Sequence, residues 1–392
     1  MIYKKLFLIF GLAVLVLPGL CLAQGASTEP INGALNIPAE AYYRAQVLQI
    51  VNSEYLGTGA DKQSFQTLKI KILSGDETGQ EKTIDRVGGA TINGGKGFKE
   101  GDKIVVNKTT VNNQPVYYVV DIYRIPSLYI IVGIFLLVVI IFSRWRGLSS
   151  ILGLIITIAI IVKFVIPQII AGHNPLLISL AAAIAIALTS LYLAHGFNKR
   201  TSIALLSTLI TLGLSLALAY IFVHVTKLFG NGSEESVYLL IGPTQHINLQ
   251  GLLLGAIILG ALGVLDDITT AQSATVDELK KANPSLNFGQ LYARAASVGQ
   301  EHISSLINTL FLAYAGVSLP LFLLFTSSGN APVWVTLNSE LISEEIVRTL
   351  VGSITLILAV PITTILAAYF FSSGPERRSK TGSSNVQDGH FH

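Results

Sequence analysis

The sequence predicts an α-helical polytopic membrane protein of about seven transmembrane helices, carrying a small N-terminal all-β extracytoplasmic domain. Three observations predict it. Apolar runs near the bilayer-crossing length of about 20 residues recur from residue 126 to residue 371. Charged residues make up 12% of the chain, about half the share in an ordinary soluble domain. That deficit is uneven, because residues 24–125 hold 11 Lys+Arg and 11 Asp+Glu. Within that charge-normal segment, apolar and polar residues alternate in short bursts, the pattern of half-buried strands.

The first residues, MIYKKLFLIFGLAVLVLPGLCLAQ, have the layout of a secretory signal peptide over 1–23. Lys4 and Lys5 form the basic region, Leu6 to Leu17 the apolar region, and Ala23 precedes the expected cleavage point. An uncleaved anchor helix is the alternative, and either form exports the segment beyond it. Leu20 before Cys21 fits a lipoprotein site poorly. Cys21 is the one cysteine of the chain, so a chain cleaved after Ala23 has no disulfide.

A linker over 24–39 leads to an expected β-barrel-like domain at 40–124, of OB-like or related type. Its strand bursts are Tyr43-Ala45-Val47-Leu48, Gln66-Leu68-Ile70-Ile72, Lys103-Val105 and Val116-Tyr118-Val120. Turn clusters such as Gly75-Asp76, Asn93-Gly94-Gly95 and Gly101-Asp102 separate them, which argues for five to seven strands. No histidine lies between residues 24 and 125. Binding and spacer roles both suit such a domain, and its balanced charge argues against nucleic acid.

The expected spans are Pro126–Phe142, Ile151–Ile170, Leu176–Ala194, Ile203–Val223, Ile247–Leu265, Ile303–Phe325 and Val347–Phe371, within a membrane domain at 126–371. Basic clusters fall in every second break: Arg144/Arg146, Lys199/Arg200, Lys280/Lys281/Arg294 and Arg377/Arg378/Lys380. The positive-inside rule makes those breaks cytoplasmic. The β-domain is then outside and the polar tail, 372–392, is a disordered cytoplasmic segment. Pro320 and Pro361 should kink the sixth and last spans. Small residues in the third span (Ala181, Ala182, Ala183) and the fifth (Gly251, Gly255, Gly260, Gly263) permit close helix approach.

Asp266 and Asp267 end the fifth apolar run with no spacer. No helix breaker occurs after them until Asn283-Pro284, so the span should continue as a helix. A second helix should begin near Asn287 and enter the sixth span. The expected result is a cytoplasmic helical hairpin, 266–302, with the two acids at one root and Glu301-His302 at the other. Asn308 and Thr309 fall two turns inside the membrane. Three readings compete. Asp266, Asp267, Glu301, His302 and Asn308 could relay a proton or cation during transport. Asp266 and Asp267 could instead hold Mg²⁺ in an enzyme acting on a lipid phosphate. In the blandest reading they mark the water interface. Lys163, His195 and His224 read as interface or snorkelling residues, and Glu344 with Arg348 as an i, i+4 ion pair.

The stretches GALGVLDDITTAQSATVDEL (260–279), GQEHISSLINTLFLAYAGVSLPL (299–321) and EEIVRTLVGSITLILAVPITT (344–364) resemble the YibE/F family of bacterial multipass membrane proteins. Residues Gly196 to Thr201 and Gly251-Leu252-Leu253 support the resemblance, which runs from roughly residue 40 to 371. It implies an integral membrane protein with an extracytoplasmic β-domain, and no activity. The expected function is a transporter or permease, with a scaffold displaying the β-domain as the alternative and the Mg²⁺ enzyme third. The lipid bilayer, a second copy or a family-paired membrane protein are the expected partners, and no cofactor is expected.

Overall fold

The computed structural model describes residues 41–56, 63–88, 97–111, 114–241, 246–327 and 332–372. The expected signal peptide, the linker and all but the first residue of the tail lie outside the described residues. The chain divides into two compact units, with the boundary between Phe142 and Ser143.

The first unit carries five antiparallel strands: β1 (Ala41–Leu56), β2 (Gln63–Ile72), β3 (Glu81–Gly88), β4 (Lys103–Val111) and β5 (Gln114–Ile122). Their order is β3-β2-β1-β4-β5. The sheet curls far enough for Lys82 of β3 to lie 5.2 Å from the ring centroid of Tyr117 on β5. That order with neighbouring ends is the arrangement of a partly open five-stranded Greek-key barrel. Alternation along β1 and β2 sends Ala45, Val47, Leu68 and Ile70 inward, where Ile84, Phe98, Ile104 and Val106 join them. The phase expected for β4 and β5 is off by one. Ile104, Val106 and Val119 face the core, while Tyr118 and Val120 are exposed. A register shift between Val105 and Val106 accompanies the change of face.

A polar clasp closes the barrel beside the core. Glu77, buried, accepts hydrogen bonds from the Lys108 ammonium and from the Tyr117 hydroxyl at 2.7 Å. Burial pushes the Glu77 carboxyl up, but the Lys108 and Tyr117 bonds outweigh it and hold the group below the usual glutamate range. Burial, then the bond to Glu77, pushes the Tyr117 hydroxyl up to about 12. Nearby, the Tyr43 hydroxyl donates to Asp76 at 2.7 Å and holds that carboxyl low. Groups lowered on folding contribute stability above their unfolded values and lose it as pH falls through the folded ones. The β-domain is therefore expected to loosen as pH falls below 4.5, the unshifted glutamate value. Hydrogen exchange of β4 and β5 in the full chain should accelerate there, over and above the intrinsic pH dependence of exchange.

The helices are α1 (Ile125–Ile160), α2 (Ile166–Ile170), α3 (Pro175–His195), α4 (Lys199–Val225), α5 (Glu234–Ile241), α6 (Leu249–Ala282), α7 (Phe288–Val317), α8 (Leu319–Ser327), α9 (Val333–Leu337) and α10 (Glu340–Ser372). A non-helical Arg144 (φ 49°, ψ −133°) breaks α1, and a π-helical turn, Ile161–Val165, links it to α2. Lys163 is exposed on that turn. Among the described residues six helices are long and apolar enough to cross a membrane: Ile125–Arg144, Gly147–Ile170, Pro175–His195, Lys199–Val225, Leu249–Ala282 and Glu340–Ser372. The chain is a multipass membrane protein.

The seventh expected span is the departure. Residues 303–325 do not form one apolar helix: α7 ends at Val317, Ser318 is non-helical, and α8 begins beside Pro320. The proline cannot donate the backbone bond that would continue α7. Asn308 dilutes the apolar stretch, and Glu301 and His302 stand just before it. Even so, α7 runs between α6 and α10. Gly299 lies against Val360 and Gln272, Leu310 against Gly352, and Tyr314 against Gly260. These pairs make α7 antiparallel to both helices. Pro361, by contrast, stays inside the continuous helix α10.

Asparagines start the helices. Asn174, Asn198, Asn248 and Asn287 accept from first-turn amides of α3, α4, α6 and α7, and Asn287 forms a full capping box with Gln290. Small residues then set close approaches. A Cβ on Gly255 would strike Ser179 of α3, so α6 and α3 meet almost backbone to backbone.

Candidate functional site

The centre of the membrane unit is a polar seam. On α4, Thr201, Thr208, Thr211 and Ser215 are buried at spacings of 7, 3 and 4 residues, which is one helical face. Thr269, Gln272 and Ser273 of α6 and Thr355, Thr363 and Thr364 of α10 are buried with them. Several hydroxyls here satisfy themselves by donating one turn back: Ser207 to Ile203 O, Thr208 to Ala204 O, Thr211 to Ser207 O and Thr364 to Val360 O. Three links cross between helices. The Thr208 and Thr269 hydroxyls stand 2.8 Å apart, Ser273 donates to Arg200 O at 2.9 Å, and Gln272 donates to Ala295 O and the Thr364 hydroxyl at 2.9 and 2.7 Å. The Thr201, Ser215, Thr355 and Thr363 hydroxyl oxygens have no partner.

These links fix the depth of the adjacent acids, and here the structure corrects the sequence reading. Residues 266–276 and 291–302 do not project beyond the spans. They lie alongside α4 and α10, and even Val276, Leu286 and Leu291 join Ile203, Ala367 and Ala368 in one apolar cluster. Only the turn between α6 and α7 reaches the bundle end. Thr208 stands about 14 Å along α4 at 1.5 Å per residue, and Asp266 is about 4.5 Å deeper than its partner Thr269. The acids belong to the interior third of the bundle, not to its rim.

Adjacent on the helix, Asp266 and Asp267 point about 100° apart and meet different surroundings. Asp266 turns inward, where the Ser190 hydroxyl of α3 faces its carboxylate. Its Oδ1 is buried with no hydrogen-bond partner, the one carboxylate oxygen in that state among the described residues. Asp267 is exposed. One turn further, a cleft of about 340 Å³ opens, lined by His195, Arg200, Thr201, Thr270 and Ala271. A neighbouring cleft of about 350 Å³ gathers Lys199, Arg200, Asp277, Lys281 and Phe371. Basic breaks that are distant in sequence therefore share one end of the bundle.

The five expected site residues do not converge. Glu301, His302 and Asn308 are exposed on α7, and among the described residues no hydrogen bond or ion pair joins them to Asp266 or Asp267. Nor do three or more His, Cys, Asp or Glu side chains gather into a metal-sized group among the described residues. Glu344 is also reassigned. It accepts from Gly232 N at 3.0 Å, while Arg348 pairs with Glu345 at 2.7 Å. Sequence reasoning missed Ser190, Thr208, Thr269 and Gln272. The signal that could find the seam is the one-face spacing of Thr201, Thr208, Thr211 and Ser215 inside an apolar run.

No curated protein and no solved structure matches the chain. The family model described as YibE/F-like protein matches residues 131–373, beginning within α1, beyond the five strands. The chain belongs to the YibE/F-like family.

Proposed function

We propose that the protein is a transporter that moves a proton or small cation, alone or coupled to a solute, with Asp266 as the group that takes and releases the ion. The observation that carries this reading is the Asp266 carboxylate itself, deep in the bundle with a sealed oxygen that nothing bonds. A buried acceptor left unmade costs about 1–3 kcal/mol, and a proton or cation relieves that cost. The cleft at His195, Arg200 and Thr270 supplies an approach that ends one turn away. The signal-peptide layout and the gathered basic residues support an orientation with this end cytoplasmic and the β-domain outside. The scaffold reading draws support from the apolar core around the seam.

Water access separates the two. With Cys21 replaced by alanine, single cysteines at Ser190, Thr270 and, as a lipid-facing control, Leu214 can be challenged with a membrane-impermeant thiosulfonate. Ser190→Cys and Thr270→Cys are expected to react from the basic side, and Leu214→Cys to stay inert. A chain in which Ser190→Cys and Thr270→Cys are as inert as the control is a dry scaffold, and the transport reading fails.

A further inference from the structure

Helix α7 has two unlike faces. Leu291, Ala295 and Gly299 are buried, and Ile303, Leu306, Ile307 and Leu310 continue that face against the apolar core. On the opposite side Val298, Glu301, Ser305, Asn308 and Leu312 are all exposed, at steps of 3, 4, 3 and 4 residues. These five residues share one side of the helix, turned away from the core. That side is also deep. Gly299 lies at the level of Val360 and Leu310 at the level of Gly352, so Glu301, Ser305 and Asn308 sit beside the middle of α10, one of the six membrane-length helices. An acid and an amide facing hydrocarbon at that depth are costly. Among the described residues no hydrogen bond or ion pair occupies the side chains of Glu301, His302, Ser305 or Asn308.

We propose that this face is covered by the same face of a second copy of the chain. Copies inserted in one membrane share an orientation, so a two-fold axis along the membrane normal sets the two α7 helices parallel and residues of equal depth together. The face is self-complementary under that operation. Glu301 lies on the face, and His302, about 100° round the helix at its edge, is placed for the acid of one copy to reach the imidazole of the other. Asn308, donor and acceptor in one group, pairs with its own counterpart, the arrangement that fixes register in two-stranded helix seams. Val298 and Leu312 close the two ends of a strip about 21 Å long. The seam leaves Asp266 in its own subunit, so each copy keeps a complete relay site.

The test uses the full chain in its own membrane. In a Cys21→Ala background, Ser305→Cys and Asn308→Cys are oxidised with copper phenanthroline, beside Leu214→Cys on α4. The expected result is a disulfide-linked species of twice the chain's mass for both α7 positions and none for Leu214→Cys. Subunit counting on the unaltered protein in nanodiscs should give two, which removes dependence on any variant folding well. Asn308→Leu should raise the dissociation midpoint of the pair by about 3- to 20-fold, the range of one interhelical polar contact in lipid. A single subunit per nanodisc overturns the proposal. So does crosslinking of Asn308→Cys to a different protein, or ready reaction of both α7 cysteines with a water-soluble thiol reagent and no crosslink.

Discussion

Replacing Asp266 with alanine is expected to abolish ion movement while making the bundle more stable. In reconstituted vesicles with an entrapped pH dye, proton-driven flux should fall by about 10²-fold or more, the scale of losing a positioned proton carrier. The opposite sign for stability comes from the unbonded Oδ1 beside Ser190. Removing a buried acceptor that has no donor relieves about 1–3 kcal/mol, so the unfolding midpoint should rise. Asp266→Asn separates charge from shape, since it keeps the volume and loses the exchangeable proton. It should share the flux loss and show little of the gain in stability. A scaffold behaves differently: both variants would be stabilised or neutral, and nothing measurable would be lost.

Gly299→Leu is expected to unseat α7 from the bundle. A Cβ at this position would strike Val360 of α10 and stand 3.1 Å from the Gln272 amide of α6. That amide holds the Ala295 carbonyl and the Thr364 hydroxyl together, so displacing it opens a three-helix junction as well as a two-helix contact. Overpacking at close sites costs about 1–3 kcal/mol, and the lost amide bonds add to it. Thermal unfolding in detergent should show a clear drop for Gly299→Leu and a smaller one for Gly299→Ala. Pairing Gly299→Ala with Val360→Ala should recover part of the loss, because the second change removes the atom that the first one meets. If the double variant is merely the sum of the two singles, the steric explanation is wrong.

Length and apolarity made the membrane helices legible, and Asn287 marked the start of α7, the helix it caps. The helix α6 could be followed to Ala282 because nothing in its sequence interrupts it. Depth was not legible. Asp266 looks like the end of a span because a carboxylate ends an apolar run, yet Thr269, Gln272 and Ser273 remain inside because polar residues of α4 and α10 meet them there. Hydropathy treats each run alone and cannot count such partners. The same blindness turned α7 and α8 into one span, since Pro320 read as a kink rather than a break. In the barrel, a one-residue register shift at Val105/Val106 reversed the face of Tyr118 and Val120, and period-two patterning has no way to register it.

The seam hydroxyls Thr208, Thr211, Thr269 and Thr364 each bond to their own helix, one turn back. Two seam hydrogen bonds join α4 to α6, Thr208 with Thr269 and Ser273 with Arg200 O, beside the apolar packing of Leu205 and Leu212 against Leu262, Leu265 and Ile268. Sliding one helix past the other would exchange those two bonds, leave every backbone-bonded hydroxyl satisfied, and cost mainly the repacking of the apolar side chains. Shear between packed helices of this sort is a recognised mode of conformational change. Asp266 lies on α6 one turn from Thr269, so an axial shift of α6 would also carry the one unbonded carboxylate oxygen among the described residues past Ser190 of α3.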